Sequence, residues 1–154
     1  MIVIIPATAA DLPRLTELEN RIFVSDRISV RQFRYLLTKA NGIFLKAEQA
    51  DELLGYMVLL KRKTSRRLRI YSIGVADSAR KQGIARRLIA CAEQLAAEHH
   101  KTEITLEVCE KNEAAVRLYR DSGFSPFGRK AGYYEDGCTA LLLRKKIIVP
   151  VADN

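Results

Sequence analysis

The chain has 154 residues, 48% hydrophobic and 29% charged, which excludes a disordered, collagen-like or membrane-embedded protein and predicts one domain over 1–154 with its own core. An excess of 26 Lys and Arg over 18 Asp and Glu leaves a net charge of +8, enough to attract an anionic partner without choosing among nucleic acid, acidic protein and a phosphate-bearing cofactor. No apolar run reaches the roughly 18 residues that cross a bilayer, the longest being Leu53–Leu60 and the interrupted tail Ile147–Ala152, so no membrane partner is expected and the cytoplasm is the expected compartment.

The apolar start Met1–Ile5 lacks a basic n-region and stops at Pro6, so Ile2–Ile5 reads as a first strand rather than a signal peptide. Thr8 or Asp11 can cap a following helix, with Pro13 tolerated in its first turn, and Leu12, Leu15, Leu18 and Ile22 give that helix one apolar face. Ser29 and Gln32 form a capping-box pattern before Phe33, Leu36 and Leu37, which predicts a second helix over 29–39 ended by Asn41-Gly42. The periodicity then changes to extended runs at Ile43–Ala47, Leu53–Leu60 and Leu68–Val75, an antiparallel meander. Gly83–His100 is a long amphipathic helix with Ile84, Leu88, Cys91, Ala92 and Leu95 on one side. Thr102–Cys109 alternates as a strand, Asn112–Asp121 is a short helix stopped by Gly123, and strands follow near 124–131 and 138–147. The order is βααβββαβαββ, a mixed α/β fold whose mainly antiparallel sheet contains one parallel crossover over 68–109.

Three cysteines, Cys91, Cys109 and Cys138, make an odd count without a CxxC spacing, and His99 and His100 are neighbours. These spacings predict reduced thiols, no disulfide framework and no zinc or other metal site.

Between the strand ending at Val75 and the long helix lies Asp77-Ser78-Ala79-Arg80-Lys81-Gln82-Gly83-Ile84-Ala85. The unpaired N–H groups of a helix's first turn carry the positive end of its dipole, a glycine lets backbone approach a phosphate, and Arg80 adds charged donors. A pyrophosphate suits such a turn, although a glycine there also serves as an ordinary turn before a solvated helix face.

RxxGxA directly after YSIGV and before a long helix resembles the acetyl-CoA signature of the GNAT superfamily of N-acetyltransferases. LEVCEKNEAAVRLYRDSGF (Leu106–Phe124) and YYEDG (Tyr133–Gly137) resemble its ribosomal-protein alanine N-acetyltransferase branch. The resemblance implies a sheet flanked by helices and acetyl-CoA as co-substrate. It implies that Ile73, Gly74 and Val75 offer backbone to the pantetheine arm and acetyl group, with a Val75 N–H toward the developing oxyanion, and that Arg80, Lys81, Gln82, Gly83, Ile84 and Ala85 hold the pyrophosphate. Asn112 would contact the cofactor from the other side. Ala85 stands where the family often has a second glycine, which leaves the N–H donors in place.

Glu107 alternates with Leu106 and Val108, and alternation alone explains a strand glutamate facing water. In the resembling branch the glutamate of LEV is the general base and the tyrosine of LYxxxGF the acid that protonates the departing CoA thiolate. Glu107, Asn112 and Tyr119 keep that spacing, while the plain alternative for Tyr119 is a core tyrosine. A single carboxylate base suits an α-amine, pKa about 7.7–8.0, better than a lysine at about 10.4. The leading expectation is therefore acetylation of a peptide or protein N-terminus, a ribosomal protein among the acceptors the resemblance implies. A small-molecule amine or a lysine side chain is the alternative, because the loop over Tyr133–Ala140 is shorter than the branch pattern and has Thr139 where an acid is common. A polycationic acceptor fits a +8 chain poorly. A third reading is a nucleic-acid or ribosome-binding module using Lys61, Arg62, Lys63, Arg66, Arg67 and Arg69. With no aromatic between those cations, nucleic-acid binding is not expected.

Overall fold

A computed structural model describes residues 1–24, 26–38 and 41–148. Strand β1 (Val3–Pro6) leads through a 3-10 turn into helix α1 (Leu12–Ile22), then α2 (Val30–Thr38) and strands β2 (Gly42–Gln49), β3 (Glu52–Lys61) and β4 (Arg67–Val75). Helix α3 (Ile84–Glu98), strand β5 (Glu103–Cys109), helix α4 (Glu113–Asp121) and strands β6 (Ser125–Lys130) and β7 (Ala140–Lys146) complete the chain. This is the predicted order, with ends shifted by a few residues. Position 39 of the second predicted helix, and the apolar tail beyond Ile148, lie outside the described residues.

Local chemistry sets these ends. Ser29 and Gln32 exchange hydrogen bonds, Ser29 N–H to Gln32 Oε1 at 3.0 Å and Gln32 N–H to Ser29 Oγ at 3.1 Å, the reciprocal capping box the sequence predicts. Asn112 Oδ1 accepts the Ala115 N–H at 3.2 Å and caps α4. His100, at φ +56°, takes the left-handed position after α3 that glycine usually fills. The strand order is β1-β2-β3-β4-β5-β7-β6. Antiparallel pairs join β1 to β2, β2 to β3, β5 to β7 and β6 to β7, and β4 runs parallel to β5, the crossover expected over 68–109.

The chain groups into two compact units, Met1–Leu60 with Tyr71–Leu88, and Lys61–Ile70 with the chain from Ile89 onward. In the first, Leu12, Leu15 and Leu18 of α1 and Phe33 and Leu36 of α2 pack on Phe44, Tyr56 and Val58. Phe33 sits 5.6 Å from Phe44 and 6.0 Å from Tyr56, ring to ring. Asp11 is buried at this unit's edge. Burial pushes its carboxyl up, but the Thr8 N–H at 2.8 Å, Arg14 at 2.6 Å and Lys46 at 2.9 Å overcome that and hold it at about 2. A carboxylate depressed on folding contributes stability above its unfolded pKa and loses it as pH falls through the folded one. The melting temperature of wild type is therefore expected to drop between pH 4 and about 2 by more than that of Asp11→Asn, the difference reflecting on the order of 2 kcal/mol.

In the second unit, Leu68, Ile70, Ile104, Leu106, Val108 and Leu143 form the buried sheet face, with Ile89, Ala92 and Ala96 of α3 buried as well. Lys145 Nζ bridges Glu93 at 2.5 Å and the Ser122 carbonyl at 2.7 Å. The cysteine expectation needs correction. Cys109 and Cys138 form a disulfide with Cα atoms 5.8 Å apart, and Cys91 alone of the three is free. The sequence gap of 29 residues hid the pair, which the β5–β7 register creates by setting Cys109 opposite Ala140, two residues past Cys138.

Candidate active site

In the first unit, β4 ends at Val75 and a 3-10 turn (Asp77–Ala79) carries the chain to α3. Lys81 at φ +66° and Gly83 at φ +75° are both left-handed, so the loop curls just before the helix. The α3 ladder opens with the Arg87 N–H donating to the Gly83 carbonyl at 3.0 Å, which leaves the N–H groups of Ile84, Ala85 and Arg86 ahead of it as first-turn donors. A Cβ built on Gly83 meets nothing within 4 Å, so the glycine answers the backbone conformation and leaves open space at the helix entrance. Arg80 is exposed and pairs with Asp77 at 3.0 Å. Open space, first-turn donors and the positive helix end together fit a phosphate group.

Gly74 has a packing reason of its own. A Cβ there would lie 2.9 Å from Ile22 Cδ1 and from the Tyr56 ring. The Tyr56 ring is fixed in turn by its hydroxyl, which donates to the buried Glu19 carboxylate, and Glu19 also accepts the Ile28 N–H at 2.8 Å. Burial pushes the Glu19 carboxyl up, against the pull of the Tyr56 and Ile28 donors, and burial beside Glu19 pushes the Tyr56 phenol far up. The cluster ties the α1–α2 connection to the β4 backbone at Gly74. The helical periodicity, which singles out Leu12, Leu15, Leu18 and Ile22, gives no sign of this buried carboxyl.

In the second unit, Glu107 lies on the sheet face opposite Leu106 and Val108, its side chain 17% exposed. Its Oε2 accepts from Arg69 Nε at 3.2 Å, and Arg69 Nη2 donates to the Tyr133 hydroxyl at 3.4 Å. Tyr133 and Tyr134 pack edge to face at 5.0 Å. Tyr119 is buried on α4 with its ring 5.9 Å from Phe124. Burial pushes its phenol well above the ordinary tyrosine value, and Tyr134 adds to the shift, so Tyr119 keeps its proton throughout the neutral range. The contacts thus run from Glu107 through Arg69 and Tyr133 to Tyr134. The Tyr133–Gly137 loop is held by the Cys138 disulfide at one end, and by the Gly137 N–H donating to the Tyr134 carbonyl at 2.8 Å. Asn112, expected at the cofactor, uses its Oδ1 to cap α4. Of the two groups that join Glu107 here, Arg69 is recoverable from strand register, since parallel pairing sets it opposite Thr105, whereas Tyr133 lies in the loop between β6 and β7, where no register applies.

Among the described residues no group of three or more His, Cys, Asp and Glu side chains could hold a metal ion, and no helix is long and apolar enough to cross a membrane. Residues 12–124 match the acetyltransferase (GNAT) family. An uncharacterized protein of Mycobacterium leprae is 32% identical over 94% of this chain, and N-alpha-acetyltransferase RimI of Mycobacterium tuberculosis is 31% identical over 90% of it. The chain spans 41% of the first relative and 88% of the second. The crystal structure of the ribosomal-protein-S18-alanine N-acetyltransferase from Escherichia coli superposes with a TM-score of 0.87 at 21% identity, covering 100% of this chain and 98% of that one.

Proposed function

The chain belongs to the acetyltransferase (GNAT) family of acetyl-CoA-dependent N-acetyltransferases, and on that premise we propose that it transfers the acetyl group to the N-terminal α-amine of a polypeptide. When bound, acetyl-CoA supplies an acetyl group activated as a thioester. The first-turn N–H groups of Ile84 and Ala85, the open backbone at Gly83 and the side chains of Arg80, Lys81 and Gln82 hold its pyrophosphate. The backbone of Ile73, Gly74 and Val75 orients its arm, and Asn112 adds a contact through its side-chain amide.

Glu107 takes the proton from the acceptor amine, directly or through one water, and Tyr119 donates its hydroxyl proton toward the departing sulfur. The observation that carries this reading is the Glu107–Arg69–Tyr133 contact. It sets the carboxylate beside a guanidinium and ties it to the loop that bears the aromatic pair. The acceptor class is supported by the N-alpha-acetyltransferase relative, which aligns over most of both chains, and by the match between one carboxylate base and an amine of pKa about 7.7–8.0.

Two measurements test this assignment. Initial rates of CoA release are expected to be far higher with a hexapeptide bearing a free N-terminus than with spermidine or an aminoglycoside at equal concentration. Equal or greater rates on the small amines would move the acceptor assignment to that class. For the cradle, Gly83→Val places a β-branched residue at φ +75° and a side chain over the phosphate donors. Calorimetry should find acetyl-CoA affinity reduced on the order of tenfold, with about 1–2 kcal/mol of stability lost to the left-handed backbone. Unchanged affinity in the folded variant would remove the pyrophosphate from this turn.

A further inference from the structure

The basic stretch between β3 and β4 plays no part in the proposed transfer, and the second unit spends a buried lysine on holding it in shape. Lys101, 6% exposed, donates from Nζ to the Arg62 carbonyl at 2.7 Å and the Ser65 carbonyl at 2.6 Å. The turn thus gains rigidity from a further positive charge beneath Arg62, Lys63 and Arg66, all of them exposed. Concentrating like charge in this way opposes folding, so its benefit lies outside the fold.

The aromatic absent from the stretch in sequence is supplied in space by β6. Phe127 lies 5.6 Å from the Arg67 guanidinium and 5.3 Å from that of Arg144. Beside it, a shallow cleft of about 480 Å³ is lined by Gly123, Ser125, Arg144, Lys145 and Lys146. Among the described residues, ion pairs join Arg67 to Glu103 and Lys145 to Glu93, and none joins Arg62, Lys63, Arg66, Arg144 or Lys146 to a carboxylate. Five cations without a carboxylate partner on a braced turn and a sheet face, with an aromatic ring close to two guanidinium groups, are the parts with which a sheet holds unpaired bases along a phosphate backbone.

We propose that this end of the second unit docks a single-stranded nucleic acid, its phosphates on Arg62, Lys63, Arg66, Arg144 and Lys146 and a base against Phe127 and its flanking arginines. The inference does not depend on the acceptor or on the roles of Glu107 and Tyr119. Duplex DNA is a poorer fit, because the surface is built from strands and a short turn and offers no helix to enter a groove. No large apolar side chain of the patch is exposed, as an anionic membrane surface would favour.

The test is fluorescence anisotropy of the full chain with a labelled oligouridylate about 12 nucleotides long, at several salt concentrations. Five phosphate contacts predict a log–log salt slope of about −3.5. Replacing Arg62, Lys63 and Arg66 together by Gln should weaken binding at least tenfold and make the slope shallower by about 2. Phe127→Leu should weaken it about fivefold or more with an unchanged slope. Both variants are read with acetyl-CoA affinity and melting temperature measured in parallel, which should stay near wild type. Salt-insensitive binding, full affinity in the triple variant, or equally tight binding of a duplex, of poly-glutamate or of anionic vesicles would overturn the proposal.

Discussion

Glu107→Gln is expected to lower turnover on an N-terminal peptide by roughly 10²- to 10⁴-fold, the range general-base catalysis contributes. The substitution keeps the shape and a hydrogen-bond acceptor for Arg69, now 3.2 Å away, and removes only the ability to take a proton. Acetyl-CoA affinity should therefore stay at the wild-type value. The deficit should also depend on pH. Below about pH 8 the α-amine is mostly protonated and needs the base, whereas above it the free amine attacks unaided and the variant recovers part of its rate. A variant with wild-type turnover and an unchanged pH profile would return Glu107 to a plain ion-pair partner of Arg69.

Tyr119→Phe is expected to lower turnover by about 10²-fold through loss of the proton donor. Phenylalanine keeps the ring against Phe124, so packing survives. The raised pKa of the buried phenol means that the hydroxyl is protonated at every pH at which the amine reacts. The effect should therefore be nearly independent of pH, unlike that of Glu107→Gln. If Tyr119 is only a core residue, the same variant would turn over normally, and any change would appear in stability alone. Turnover and melting temperature of one preparation separate these outcomes.

The fold and the candidate site were unequally legible in the sequence. Element order followed from periodicity and end signals, because those act over a few residues: the Ser29–Gln32 capping box, Pro13 in the first turn of α1 and the Gly83 helix entrance all stand where the sequence put them. The cradle is contiguous, and its glycine is needed for a local backbone conformation. Glu107 and Tyr119 stood out only through resemblance, since a strand glutamate and a helix tyrosine have ordinary explanations.

What was not legible depends on register. The Cys109–Cys138 disulfide contradicts the expectation of reduced thiols because a spacing rule sees only short separations, and the pair is made by β5 and β7 lying side by side. The partnership of Arg69 with Glu107 spans 38 residues and requires the parallel β4–β5 alignment. Phe127 falls within the strand predicted near 124–131 without being singled out, and only the sheet brings it near both Arg67 and Arg144. Glu19 carries no sequence signal of its own, yet its carboxylate is buried and accepts from Tyr56 and Ile28.

The most direct measurement of the proposed chemistry uses one peptide that offers both kinds of amine, a free N-terminal alanine and an internal lysine, incubated with the pure chain and acetyl-CoA. Tandem mass spectrometry then locates the acetyl group. The expected result is a single acetyl on the α-amine, one CoA released per acetyl transferred, and loss of that product with Glu107→Gln. Acetylation of the lysine in preference to the N-terminus, or α-acetylation that persists at the wild-type rate in Glu107→Gln, would contradict it.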